Sequence, residues 1–511
     1  MKVLFTISVL LILFSMDGKA TDTTFTYTYG GVRYEEGTSV AATFDGGYIM
    51  VGSTGSFGLG NSDIYIVKAD SSGAVEWSNS YGGLQLDFGM NVKQTADSGY
   101  VIVGYTNSYG AGGYDVFMVR TNQLGDTLWT KTFGGMDWDL GYDVVETLDG
   151  GFVVVGETYS FGAGDNDVYV IKTNANGDSL WTKTYGGNKE DYGRAVVETA
   201  DSNLLIGGAT FTFDVDSGDA FMIRTNNQGD TIWTANYGGT GTDFANDVIE
   251  TMDGGFAFLG TTTSYNSKNK DFYFARINQA GVLSWFKAIG SLEGDEEGFS
   301  LVEIRFERYA LLGHSGYFGT GGYDLYLVAT NEIGGFLFGR TYGFTGNESG
   351  HSLAKRENGG MALFGSTNSV GTGLSDMFLL TTDSVGKDFN DLVFSSITYV
   401  AYFDTTLPDV PLSVGDIINP DRKVSVYPNP ANGQVNINIA GESRVNKSTV
   451  FELYDLTGRM VLSTALNNTS PHSINLSNMI SGVYFYDIII RDKSQAHESE
   501  VYKGKLVLTS E

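Results

Sequence analysis

Residues 133–184 read FGGMDWDLGYDVVETLDGGFVVVGETYSFGAGDNDVYVIKTNANGDSLWTKT, and at Tyr185 the same pattern begins again with Tyr-Gly-Gly. Within this stretch Val144 to Thr147 has the length and composition of a short strand, and Asp149, Gly150 and Gly151 form a turn whose positive backbone angles suit aspartate and glycine. Phe152 to Val155 is a continuous apolar run, as expected of a strand covered on both faces, and Val168 to Ile171 is a second such run, opening after Asp167. Asn176 and Gly177 turn the chain into Leu180 to Thr184, where Trp181 alternates with polar Thr182 and Lys183 in the manner of a sheet edge. The stretch predicts four short antiparallel strands and leaves little room for a helix.

Working outward, the aromatic-Gly-Gly triplet begins at Tyr29, Tyr81, Phe133, Tyr185 and Tyr237 and degenerates at Ile289 and Tyr342, so the period is 52 residues five times and 53 once. Other landmarks keep the same step. An aspartate opens an apolar strand at Asp63, Asp115, Asp167, Asp219, Asp271, Asp324 and Asp376, and a tryptophan recurs at Trp77, Trp129, Trp181, Trp233 and Trp285, with Phe338 in the sixth copy. Seven copies of a four-stranded unit predict an all-β, seven-bladed propeller, because each sheet buries its faces only against its neighbours and the ring must close. Phe25 stands four residues before Tyr29, as Trp181 stands before Tyr185, so Thr23 to Thr28 is expected to supply the outer strand of the seventh blade; Phe389 to Phe394 is the competing candidate. In the sixth copy Glu303, Arg305, Glu307 and Arg308 replace the Asp-Gly-Gly turn, through drift of the repeat or through a functional insertion. The repeat resembles those common in surface proteins of Bacteroidetes-type bacteria, including the SBBP family. That resemblance covers Tyr29 to about Asn390 and speaks to fold, since propellers host many unrelated activities.

Composition narrows the function classes. Over 511 residues the formal charge is −29, which repels phosphate backbones and makes nucleic acid an unexpected partner. There is no cysteine, which excludes disulfides, thiolate nucleophiles, cysteine zinc sites and lipobox acylation. Lys2, the apolar run Val3 to Phe14, and small Gly18 and Ala20 read as a secretory signal over 1–20; the run is shorter than the ~20 residues that span a bilayer, and no later stretch approaches that length.

The remaining organisation is a propeller over 21–391, a linker over 392–421 whose Leu407 to Asp421 concentrates proline, glycine and aspartate, and a small C-terminal β-sandwich over 422–511. Strands in the last are expected at Val424 to Tyr427, Val435 to Ile439, Val450 to Asp455, Met460 to Thr464, Gly482 to Ile490 and Lys505 to Leu508. Here Tyr427-Pro428-Asn429-Pro430, Leu453-Tyr454-Asp455-Leu456-Thr457-Gly458-Arg459 and Ser481-Gly482-Val483-Tyr484 fall in order, and Lys503-Gly504-Lys505-Leu506-Val507 closes the chain. This resembles a type A C-terminal sorting domain of the type IX (Por) secretion system. The resemblance implies Sec export followed by passage across the outer membrane, with the type IX machinery and a sortase-like protease as partners. It also implies a secreted or cell-surface location, and it assigns the sorting motif to Asp455, Gly458, Arg459, Gly482, Tyr484 and Lys505.

Little chemistry is legible. Of four histidines only His314 and His351 fall in the propeller, at unequal positions in their copies, and no G-x-S-x-G elbow is present. Asp214, Asp216 and Asp219 lack the spacing of an EF-hand loop. A carboxylate recurs at Glu35, Asp87, Asp139, Asp191, Asp243, Asp295 and Glu348, a ring that could meet cations or sugar hydroxyls on one face, or could cap its own loops by accepting from backbone amides. No metal or cofactor is expected. The reading is a non-enzymatic binding or adhesion module for an extracellular glycan or protein. The alternatives are a polysaccharide hydrolase or lyase using paired carboxylates, and a purely structural surface protein.

Overall fold

The computed structural model describes residues 24–213, 217–265, 269–305 and 308–387, and in the tail 424–427, 434–439, 447–454, 460–466, 472–476, 479, 482–492 and 499–508. The chain forms two compact units, divided after Leu407. The expected signal segment, the linker and the Phe389 to Phe394 candidate lie outside the described residues.

The first unit is a closed ring of seven four-stranded antiparallel sheets. In the copy quoted above the strands are Asp139–Glu146, Phe152–Thr158, Asp167–Thr173 and Ser179–Tyr185, from the axis outward. The innermost begins five residues earlier than its apolar run suggested, because Gly141 and a β-bulge between Gly141 and Asp143 break the alternation that marks a strand. The second and third strands are buried along their whole length, and the outermost keeps one half-buried face, so hydrophobicity falls with radius.

The seventh sheet closes the ring. Its inner three strands come from the last copy, and its outer strand is Thr26–Tyr29, paired with Asp376–Thr382 in the register Thr26 to Leu380 and Tyr29 to Met377. Five of the seven outer strands, those that end in tyrosine, also clasp the following blade. The Tyr81 hydroxyl donates to the Gly125 carbonyl at 2.6 Å and Tyr185 to Gly229 at 2.5 Å, while Tyr29 reaches Gly73 of the first blade at 2.8 Å. The clasped glycine has positive φ and no room for a side chain: a Cβ on Gly125 would stand 2.7 Å from Trp77, and one on Gly73 would stand 2.4 Å from Phe25. Phe25 therefore does for the closing strand what tryptophan does in the other copies.

Around the opposite turns, the last residue of an inner strand accepts from a backbone amide of the preceding blade, as in Glu146 from Ala96 at 2.8 Å and Glu198 from Leu148 at 2.7 Å. Glu303 does the same with Met252 at 2.7 Å, so this part of the divergent sixth copy keeps the common framework.

The second unit contains a three-stranded sheet, Val424–Tyr427, Gln434–Ile439 and His472–Asn475, and a four-stranded one, Lys447–Tyr454, Met460–Leu466, Gly482–Asp492 and Ser499–Leu508. His472–Asn475 was not anticipated; at four residues it is too short to show a period.

Candidate functional site

The ring of recurring carboxylates is fully buried. Glu35, Asp87, Asp139, Asp191, Asp243 and Glu348 are 0% exposed, and in the sixth blade the equivalent position is held by Glu296, also 0% exposed, and not by Asp295. The one-residue insertion in that copy moves the register, and Asp295 stands half-exposed with its carboxylate accepting from the Lys270 amide at 3.0 Å. Each buried carboxylate accepts from its own loop: Asp139 takes the Gly135 amide at 2.7 Å, the Ser160 hydroxyl at 2.7 Å and the Thr158 hydroxyl, and Glu35 takes the Gly31 amide at 2.7 Å and Thr54 at 2.7 Å. They are caps bonded to the framework, with Oδ1 of Asp191 and of Asp243 alone among them left without a hydrogen-bond partner.

The aspartates that open the third strands complete this framework. A Cβ on Gly134 would lie 2.1 Å from Asp115 Oδ1 and 2.7 Å from Asp139 Oδ2, so the first glycine of each triplet admits two carboxylates from adjacent blades to one site. Burial, with the neighbouring charge adding to it, pushes Asp115 and Asp243 up to about 6.

The groups that face open space belong to a different column. The inner strands carry the same β-bulge at Gly37/Ser39, Gly89/Asn91, Gly141/Asp143, Gly193/Ala195, Ala245/Asp247, Gly298/Ser300 and Gly350/Ser352. The bulged residues are Thr38, Met90, Tyr142, Arg194, Asn246, Phe299 and His351, and all seven line one axial channel of about 1080 Å³. A bulge re-aims the side chain it inserts, here toward the axis. Sequence reading passed over these positions because they share no residue type. The available signal was the reverse, a column that differs in every copy beside a glycine kept in nearly all.

Residues just past the bulge tie blade to blade inside the channel. Asp143 accepts from its neighbour Val144 at 2.8 Å and from the Val196 amide of the next blade at 2.8 Å; Asp247 accepts from Leu301 at 2.8 Å and Ser300 at 3.2 Å. Burial pushes the Asp247 carboxyl up to about 7, with the Asp143 charge adding to the rise and Lys93 opposing it.

The mouth has two unlike walls. Over blades two and three, Phe88, Tyr105, Tyr114, Trp138 and Tyr159 form an unbroken series of rings with centroids 5.0, 5.4, 5.6 and 6.3 Å apart. Arg194 lies 4.0 Å over Tyr142 and 5.5 Å over Tyr192, and the Tyr142 hydroxyl donates to Glu157 at 2.6 Å. On the other side Lys270 pairs with Glu297 at 2.9 Å, and His314 and His351 flank the Phe299 ring at 5.2 and 5.3 Å. Both propeller histidines thus meet on one wall. Burial pushes His351 down to about 4, so it is neutral and its Nδ1 donates to the Gly37 carbonyl at 2.9 Å. The His314 ring, its Nε2 3.7 Å from the carboxylate, and the Lys270 ammonium at 2.9 Å hold Glu297 down at about 2. Among the described residues no group of three or more His, Cys, Asp or Glu side chains is placed to hold a metal ion, and no helix is long and apolar enough to cross a membrane.

Of the sorting-motif residues, Asp455, Gly458 and Arg459 lie outside the described residues. The backbone pairs Gly482 with Leu508, Tyr484 with Leu506 and Phe485 with Lys505 in the last two strands of the chain.

Fold and channel together define a seven-bladed β-propeller with an axial pocket of unlike side chains. Residues 425–500 match the family model of the secretion system C-terminal sorting domain, so the chain is a propeller exported by the type IX system to the medium or the cell surface. Comparison with the curated proteins gives no match. Among solved structures, the extracellular domain of the hybrid two-component system BT3049 from B. thetaiotaomicron is 11% identical with a TM-score of 0.39, over 95% of this chain and 57% of that one. The S. cerevisiae core factor is 10% identical at 0.35, over 74% of this chain and 64% of that one. The β-1,2-mannobiose phosphorylase of Listeria innocua is 9% identical at 0.27, over 73% of this chain and 93% of that one. The chain spans less than two thirds of the first two, and at these scores the likenesses carry no argument.

Proposed function

We propose that the protein is a non-enzymatic binding or adhesion module whose ligand enters the axial channel from the mouth, after export and removal of the tail by a sortase-like protease. One observation carries this. The framework positions are repeated blade after blade, while the seven bulge positions that face the channel carry seven different side chains. A ring built only for stability has no reason to make its axis chemically asymmetric, whereas a pocket that recognises one ligand in one orientation does.

Two measurements test it. Mass spectrometry of medium and cell surface should find the propeller without the segment after about Asp421; intact chain in both fractions would refute processing. The purified chain should bind an extracellular polymer or surface protein, and Asn246→Ala with His351→Ala should weaken that binding in a chain that still unfolds cooperatively, at a lower midpoint because each side chain also donates to the next blade. Unchanged binding would refute the channel as the site.

A second reading rests on Asp143 and Asp247, two carboxylates facing the same channel with the second held near 7. Slow hydrolysis or cleavage of a polysaccharide that disappears in Asp247→Asn would favour it. The hydrogen bonds that both carboxylates accept from backbone amides of the next blade argue for the framework role.

A further inference from the structure

Resting on the channel-mouth reading, we infer that the ligand is an uncharged carbohydrate chain, laid along the aromatic wall and read at its inner end by Arg194, which the Tyr142 ring and the buried Glu157 behind it hold in place. The rings come first. The series from Phe88 to Tyr159 is not a buried core: Trp138 is 53% exposed and Tyr159 42% exposed, while Phe88 and Tyr105 line the channel itself. Large rings left in water along a continuous path offer flat apolar faces, and the C–H face of a pyranose is a flat apolar partner of matching size. Fully apolar ligands are disfavoured by what lies at the inner end of that path.

There, planar polar groups converge. The Glu157 carboxylate is 4% exposed and accepts from Tyr142 at 2.6 Å and from Asn166 Nδ2 at 3.0 Å. Arg194 lines the channel, stacked on Tyr142 and drawn electrostatically to the Tyr142 hydroxyl and to Glu157. Asn166 is 1% exposed, and its Oδ1 has no hydrogen-bond partner. The guanidinium fork beside stacked rings presents planar donors to vicinal hydroxyls, and the buried Glu157 and Asn166 brace Tyr142 beneath it.

Charge decides between neutral and acidic sugars. Arg194 and the nearby Glu157 offset one another, Glu36 stands exposed at the same mouth, and the whole chain carries −29. A polyuronate would meet repulsion at long range and no uncompensated cation at the end. Because the rings continue outward from the channel to Tyr159, affinity should rise with the number of sugar units.

The test is calorimetric titration of the full mature chain with cello-, laminari-, xylo-, manno- and chito-hexaose, with oligogalacturonate as the charged comparison. At least one neutral hexaose is expected to bind, more tightly than its disaccharide, with Trp138→Ala and Tyr159→Ala each weakening it tenfold or more. Arg194→Gln should weaken it similarly, and Phe213→Ala, an exposed ring outside the series, should leave it unchanged. Trp138 and Tyr159 are surface residues, so their variants report on binding even where Arg194→Gln unsettles the fold. Three results would overturn the inference: binding of a neutral hexaose indifferent to Trp138→Ala and Tyr159→Ala, preference for oligogalacturonate, or no neutral oligosaccharide bound at all. In the last case a non-carbohydrate ligand whose binding responds to Asn246→Ala would leave the channel reading standing, and only the carbohydrate assignment would fall.

Discussion

Closing the ring with a strand from the far end of the chain makes Tyr29 the most instructive residue to change. Its side chain is 5% exposed, packs in the cluster that joins Tyr48, Met50 and Tyr65 of the first blade to Phe364, Met377 and Leu379 of the last, and donates to Gly73 at 2.8 Å. Tyr29→Ala removes a buried ring where little can collapse into the gap, which costs about 3–5 kcal/mol. Tyr29→Phe removes only the hydroxyl and should cost about 1 kcal/mol. The reciprocal change is available in the same molecule. Phe133 occupies the equivalent place in the third copy, so Phe133→Tyr can supply the missing bond to Gly177 and should stabilise by about 0.5–1 kcal/mol. Urea unfolding followed by tryptophan fluorescence reads the propeller alone, because Trp77, Trp129, Trp138, Trp181, Trp233 and Trp285 are the six tryptophans of the chain and all precede the tail. The closing strand is held to the seventh blade without a covalent link, so Tyr29→Ala should also speed proteolysis near the N-terminus. A loss below about 1 kcal/mol for Tyr29→Ala would mean that the ring does not depend on this closure, and the reasoning would fail.

Other expectations concern the framework. Gly134→Ala would force a methyl between Asp115 and Asp139 and should cost about 3 kcal/mol or more, whereas Gly46→Ala, with nothing within 4 Å but φ at +81°, should cost only about 1 kcal/mol; equal losses in the same unfolding assay would contradict the crowding argument. Ser202 holds a glycine-type turn position at φ 61°, so Ser202→Gly should stabilise by about 0.5 kcal/mol, and a loss would show that its side chain matters more than its backbone. Asp247 has a folded pKa raised from 3.8 to about 7, so the stability tied to its neutral form is complete below about 4 and is lost as pH rises through 7. Asp247→Asn should therefore match wild type near pH 4 and exceed it by roughly 2–4 kcal/mol at pH 8, as judged by urea midpoints; a gap that shrinks with rising pH would refute the assignment.

What the sequence by itself determined was everything that repeats. A period of 52 residues, with an aspartate, a tryptophan and a glycine pair in step, leaves seven like sheets no way to bury their faces except side by side, and the place of Phe25 before Tyr29 pointed to the strand that closes the ring, with Phe389 to Phe394 a rival until strand pairing placed Thr26–Tyr29 there. The ordered motifs of the tail were legible for the same reason, since they are local in the chain. Tertiary structure decided what the repeat conceals. Recurrence made the carboxylates conspicuous, but only the fold showed them capping their loops, and only strand pairing placed Glu296 where counting had placed Asp295. The channel is the opposite case. Thr38, Met90, Tyr142, Arg194, Asn246, Phe299 and His351 have nothing in common as residues and lie in seven different copies, so no pattern along the chain links them. They share a site because a bulge at the same place in every blade turns each one toward a common axis, and that axis exists only once the ring has closed.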